Sequence, residues 1–162
     1  MSSVRNILGL AGWLVAVFAA AWFGARYIPG EWYAALNKPS WNPPNSVFAP
    51  VWTLLYVLMA LAAWLVWCRG GFSGAKGALG LFIAQLVLNA LWSYLFFGLH
   101  RPELAFLDIM VLWVTLAGVT ALFWQQDWVA GAIMVPTVVW VSFAAFLNFF
   151  IWRLNVDGLI HS

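Results

Sequence analysis

The chain has 162 residues, of which 65% are hydrophobic and 7% charged, whereas soluble domains carry roughly a quarter charged residues. With a mean hydropathy of +0.93, its outer surface faces lipid and its length allows one domain, residues 1–162. A dispersed net charge of +2 excludes a nucleic-acid surface, and the single Cys68 excludes an intramolecular disulfide and a cysteine-based metal site.

Five apolar stretches follow in order. They run from about Ile7 to Arg26, Ser46 to Cys68, Gly77 to Leu99, Glu103 to Trp124 and Trp128 to Trp152. A helix rises about 1.5 Å per residue, so each stretch is long enough for roughly 30 Å of hydrocarbon. Helix is also the only open-chain way to satisfy every backbone group in lipid. The first stretch follows Arg5 but is too long for the apolar core of a signal peptide. The fold class is an all-α integral membrane protein, a bundle of five transmembrane helices. An odd number of spans puts the termini on opposite sides. Arg5, Arg69 and Lys76 lie on one side and Arg26, Lys38, Arg101 and Arg153 on the other, a slight bias toward a cytoplasmic carboxyl terminus.

The first inter-span loop, Glu31 to Pro44, is neither short nor polar. It holds Trp32, Tyr33, Trp41, Pro39, Pro43 and Pro44, and Pro50 and Trp52 follow just inside the next span. Rings on a proline-stiffened backbone do not follow a solvated random path. The expectation is a lid folded back over the bundle.

Polar groups are costly in hydrocarbon and are expected to face the interior. In the third span Gln85, Asn89, Trp92 and Phe96 share one helical face, and in the fifth Pro136, Trp140, Ala144 and Asn148 recur every fourth residue. Trp52 and Tyr56 lie one turn apart in the second span, and Asp108 heads a face with Leu112 and Thr115 in the fourth. Gln85 and Asn148 read first as glue between helices. Asp108 reads as a side chain that snorkels to the interface, a cap for the helix start near Pro102, or a partner for Arg101 or another cation. Trp13, Trp22, Trp64 and Trp128 read as packing or interface residues. Trp52, Asn89 and Trp140 point more to binding, since each shares a face with rings or polar groups. Gly80 and Ala84 form a small-xxx-small step suited to close approach of a second helix.

Enzyme signatures are missing. His100 ends a span and His161 lies at the terminus, so no histidine cluster for a metal forms, and the spans carry no Ser-His-Asp set or phosphate loop. Pro136 is the one proline placed to break a helix within a span. No internal repeat of the kind transporters use is present.

The run Trp32-Tyr33, Leu36, Lys38-Pro39-Ser40-Trp41-Asn42-Pro43-Pro44, Val47-Phe48, Pro50-Val51-Trp52-Thr53 and Leu55-Tyr56 resembles the signature of the TspO/MBR family. That family comprises bacterial tryptophan-rich sensory proteins and the mitochondrial translocator protein, the peripheral-type benzodiazepine receptor. The resemblance continues through Gln85 to Asn89, Trp92-Ser93, Phe96 to Gly98, Asp108, Pro136, Trp140, Phe143-Ala144, Leu147-Asn148 and Trp152 to Asn155. It implies a homodimeric five-helix bundle that binds tetrapyrroles such as protoporphyrin IX, and benzodiazepine-type ligands, beneath the first loop. Trp52 and Asn89 match polar ligand contacts, Tyr33 the lid and Trp140 the opposite wall. Bacterial members are also linked to light- and oxygen-dependent porphyrin breakdown, which makes Trp52 and Trp140 candidate catalytic residues. In the stretch Leu147 to Arg153, Phe149 stands where the mitochondrial sterol motif has Tyr, which disfavours sterol binding. The short amino terminus suits a bacterial member.

A porphyrin is a flat ring edged by carboxylates, so it needs aromatic faces and a basic or amide rim. Trp32, Tyr33, Trp52, Tyr56, Trp92, Phe96 and Trp140, beside Ala144, supply the faces. Lys38, Asn37 and Asn42 supply the rim. No histidine lies deep enough to ligate haem iron, so the expected ligand is metal-free and no cofactor is required. Membrane lipid is the other partner. A membrane receptor is the leading reading, with a porphyrin-degrading enzyme and a tetrapyrrole or sterol transporter as alternatives.

Overall fold

The computed structural model describes residues 3–159; His161 lies outside them. Among the described residues there is no strand, and five helices are long and apolar enough to cross a membrane. They are α1 (Ser3–Gly24), α3 (Asn45–Gly74), α4 (Lys76–Ser93, continued by a π-helical turn Tyr94–Gly98), α5 (Pro102–Gln126) and α6 (Trp128–Leu154). A short α2 (Glu31–Ala35) lies in the first loop, and α7 (Val156–Leu159) follows α6. By length and composition these five helices make the chain a multi-pass integral membrane protein.

The helices form a closed ring in the order α1, α3, α6, α5, α4 and back to α1, with the broadest contact between α5 and α6. Inside it, Phe82 stacks on Phe123 and meets the edge of Trp13, both at 5.6 Å between centroids. Met59, Leu79, Leu112, Leu116, Met134 and Val141 fill the same core. α1 is the outermost wall, with only Trp13, Val17 and Gly24 buried. At Gly9 a Cβ would stand 2.2 Å from the Trp67 ring, so glycine there lets that ring lie against α1.

The structure changes several expected boundaries. The first helix starts at Ser3 and ends at Gly24, ahead of the 7–26 reading. The second does not stop at Cys68. The backbone kinks at Gly70 and Gly71, the latter at φ 66° and ψ −168°, a region open essentially to glycine, and the helical run ends at Gly74. The third ends in a π turn, which the regular spacing did not predict. Pro136 lies within an unbroken α6. Thr115 turns its hydroxyl back to the Val111 carbonyl at 2.8 Å, and Leu116 takes the buried position after Leu112. Arg101 pairs with Glu103 rather than Asp108.

Asp127 joins α5 to α6 and is nearly buried. Its Oδ1 accepts from the Val129 and Ala130 amides at 2.9 and 3.3 Å, capping α6. Its Oδ2 accepts from Arg69 Nε and Nη2 at 3.0 and 2.5 Å, tying on the end of α3. The Arg69 guanidinium, helped by the amide bonds and opposed by burial, holds the Asp127 carboxyl below its ordinary value of 3.8. A lowered folded-state value adds stability above the ordinary value and loses it as pH falls through the lowered one. Asp127→Ala should lower stability by about 0.5–2 kcal/mol through the lost cap. Asp127→Asn should cost less, since it keeps a capping oxygen and Arg69 is largely exposed. Thermal unfolding in detergent micelles should show the wild-type advantage over Asp127→Asn shrinking below pH 3.8.

Candidate functional site

Three groups of expected site residues gather at the end of the bundle that carries the first loop. The first is the lid. Glu31–Ala35 forms one short helix, and Tyr33, only 3% exposed, drives its ring between Phe97 at 5.5 Å and Phe96 at 6.2 Å. The π turn in α4 presents both phenylalanines, and Trp92 stacks on Phe96 at 5.2 Å. Leu36, Phe48, Leu147 and Ile151 complete this second core. Trp32 lies flat on His100, 4.3 Å away with an 11° tilt, and His100 holds a left-handed backbone at φ 56°. Trp41 sits between Phe143 and Phe150 of α6, at 5.8 and 5.6 Å. The loop is a folded cap.

Several of its polar groups are engaged within the protein. The Tyr33 hydroxyl donates to Asn42 Oδ1 at 3.1 Å. Burial pushes the Tyr33 phenol above its ordinary value, partly offset by that bond. Lys38 Nζ donates to the Ala34 and Leu36 carbonyls at 3.3 and 2.9 Å, closing α2, and lies 4.8 Å from the centre of the Tyr33 ring. Asn37 bonds through its backbone to Asn155. Of the expected rim, Lys38 and Asn42 thus hold the lid itself through their side chains, and Asn37 does so through its backbone.

The second group lies below the lid. Trp52 packs on Tyr56 at 5.6 Å, and the Tyr56 hydroxyl donates to Asn89 Oδ1 at 3.3 Å. Asn89 is 3% exposed, and its Nδ2 has no acceptor among the described residues. The third group is the wall. Trp140 meets Phe143 at 5.4 Å and Phe48 at 6.0 Å, and its buried Nε1 also lacks an acceptor among the described residues. Ala144, one turn on, is buried. Beside Trp140 an apolar groove of about 440 Å³ opens between α3 and α6, lined by Val51, Leu54, Val135 and Pro136 among others. Leu54, Val135 and Val139 are exposed along it, so the groove opens on the outer face of the bundle.

Asn148 proves to be glue. Its Oδ1 accepts from Trp92 Nε1 at 2.9 Å and its Nδ2 donates to the Pro102 carbonyl at 2.8 Å, joining α4, α5 and α6. Gln85 is buried with only Met59 Sδ near its Nε2, at 3.5 Å. Asp108 is buried with Oδ2 unpartnered among the described residues. Trp13 packs in the core, Trp64 donates to the Asn6 carbonyl at 3.0 Å, and Trp22 and Trp128 are exposed. Among the described residues no group of metal-ligating side chains forms.

Sequence reasoning passed over Phe48 and Phe143 as ring partners of Trp140. Helical spacing could have found them, since Phe48 lies one turn before Trp52 and Phe143 three residues after Trp140. No local signal marks His100 or Asn155, whose partners lie far away in the chain.

The fold and these groups define a class: a five-helix integral membrane protein with a folded aromatic lid over unpartnered interior polar groups. Residues 9–153 match the TspO/MBR family. The chain is 44% identical over 142 residues to a tryptophan-rich sensory protein of Cereibacter sphaeroides, covering 88% of each. It is 42% identical over 147 residues to protein CrtK of Rhodobacter capsulatus, covering 90% of this chain and 91% of that one. With the human translocator protein it shares 37% identity over 149 residues, covering 89% and 88%. This chain belongs to the TspO/MBR family.

Asn148→Ala would orphan the Trp92 indole N–H and leave the Pro102 carbonyl without its side-chain donor. Each such loss costs about 1–3 kcal/mol when water cannot replace the bond. Thermal unfolding should show a large loss of stability in this variant, with only a small loss for Thr53→Ala, whose exposed hydroxyl bonds its own helix.

Proposed function

We propose that this protein is a membrane receptor that binds a metal-free tetrapyrrole such as protoporphyrin IX, and flat benzodiazepine-type ligands, beneath the first loop, and that occupancy is sensed through the lid. The carrying observation is a pair of features at one end of the bundle. An aromatic lid is folded over it, and beneath the lid lies buried Asn89, with one oxygen engaged by Tyr56 and Nδ2 free of any acceptor among the described residues. A flat ring matches aromatic faces, and a ligand oxygen would give Nδ2 the acceptor that burial otherwise denies it. The names of the relatives, sensory and translocator proteins, agree with a sensing role.

A second copy of the chain is the protein partner of this reading. Gly80, Ile83, Ala84 and Val87 form an exposed strip on α4, and nothing lies within 4 Å of a Cβ built on Gly80. Sterol recognition is disfavoured, because Leu147 is buried while Phe149 and Arg153 face outward. The setting is a bacterial membrane with the carboxyl terminus in the cytoplasm.

Trp52→Phe and Asn89→Ala should each weaken protoporphyrin IX binding about 2–12-fold while the bundle stays folded, the range expected for one hydrogen bond. Fluorescence titration of the purified variants checks this, and unchanged affinity in both would remove them from the site. The degradative reading has one observation in its favour, the unpartnered Trp140 indole beside the groove. A receptor should bleach saturating porphyrin under light no faster than Trp52→Phe or Trp140→Phe does, with the same products as free porphyrin in detergent. A defined product lost in both variants would show turnover instead.

A further inference from the structure

Asn155 serves two elements at once. It ends α6, and its Nδ2 donates to the Ile151 carbonyl at 2.7 Å, one of the acceptors a helix end leaves open. The same side chain reaches 118 residues back to the lid, where its Nδ2 donates to the Asn37 carbonyl at 2.8 Å and its Oδ1 accepts from the Asn37 N–H at 2.9 Å. The side-chain amide thus pairs with a backbone peptide in both directions. Its two N–H groups and its oxygen are all engaged.

The position of this clasp matters. Asn37 directly follows Leu36, the C-cap of α2, midway between the two aromatic anchors of the lid. On one side Trp32 lies on His100, and on the other Trp41 rests between Phe143 and Phe150. Aromatic contacts tolerate sliding, whereas a reciprocal pair of hydrogen bonds holds only in one geometry. The clasp is also exposed, so water can replace it when the loop lifts. Both backbone groups of Asn37 are committed to α6.

We propose that Asn155 is the latch of the lid, and that its release reports lid opening to the carboxyl-terminal end of α6. The passage of a tetrapyrrole under the lid rests on the function proposed above; the latch itself rests on the closed geometry alone. Lifting the loop breaks both bonds to Asn37 and leaves Asn155 with only its own helix. Linkage makes the effect reciprocal: whatever displaces the Asn155 end of α6 shifts the lid toward opening, and opening the lid frees that end. Asp cannot replace Asn here, because a carboxylate loses both donations and would face the Asn37 and Ile151 carbonyls. Ala loses everything beyond Cβ.

The test uses the full chain in detergent micelles and two readouts, hydrogen exchange by mass spectrometry and stopped-flow quenching of tryptophan by protoporphyrin IX. Exchange over residues 31–44 should rise at least about threefold in Asn155→Ala and Asn155→Asp, with the interior of α3, α4 and α5 unchanged. Asn37→Pro separates latch from helix cap. It removes the lid's N–H donor and leaves the bond to Ile151, and Leu36, at φ −69° and ψ 144°, already has the backbone that precedes proline. This variant should also loosen residues 31–44. Porphyrin association and dissociation should both accelerate in the Asn155 variants, with a smaller change in Kd. Unchanged exchange over 31–44 in folded variants would overturn the latch, as would a uniform rise across all helices. Faster lid exchange without porphyrin binding by wild type would uphold the latch and sink the receptor reading.

Discussion

Seating the Tyr33 ring against Phe96 and Phe97 is the contact on which the upper half of the molecule depends. An inter-helix loop in a membrane protein has water on one side and gains little by folding unless it has an apolar surface to cover. The π turn at Tyr94–Gly98 supplies that surface by re-aiming the end of α4. Glycine at position 98 is needed there, because a Cβ would stand 2.8 Å from the Tyr27 ring. Once Tyr33 is seated, Trp32 reaches His100, Lys38 closes the short helix, and the prolines carry the chain to α3 without needing amide partners.

The interior polar side chains divide by what they touch. Asn148, Trp92 and the Pro102 carbonyl are mutually satisfied and hold three helices in register. Asn89 and Trp140 are half satisfied or unsatisfied among the described residues, and both lie with the aromatic groups near the lid. A buried donor without an acceptor costs stability, and the function proposed above would give both donors an acceptor on a guest. The same reasoning does not extend to Gln85, whose unpartnered atom among the described residues is the Oε1 acceptor, while its Nε2 lies against Met59 Sδ.

Most of the architecture was legible because lipid leaves few options. Apolar length located all five spans, and four-residue spacing correctly turned Gln85, Asn89 and Asn148 inward. Local pattern failed where a three-dimensional neighbour decides the outcome. Nothing near Phe96 announces a π turn, since that depends on Tyr27 and the lid packing against it. Thr115 has the right spacing for the core, but its hydroxyl finds a carbonyl on its own helix and Leu116 fills the interior. Lys38 looked like a free cation because sequence cannot show that α2 stops within reach of its ammonium group. The lid was legible as a cap; its fastenings to His100 and Asn155 were not, being pairings across long stretches of chain.

The ring order has a consequence for biosynthesis. Helices emerge as α1, α3, α4, α5 and α6, yet in the finished ring α6 stands between α3 and α5. Until that last segment enters the bilayer, the wall has a gap one helix wide. The loop that emerged second must also wait, because Trp41 and Asn37 both rest on α6. The ribosome thus releases last the part that finishes the enclosure, and the fastenings of the cap on α6 form only after it.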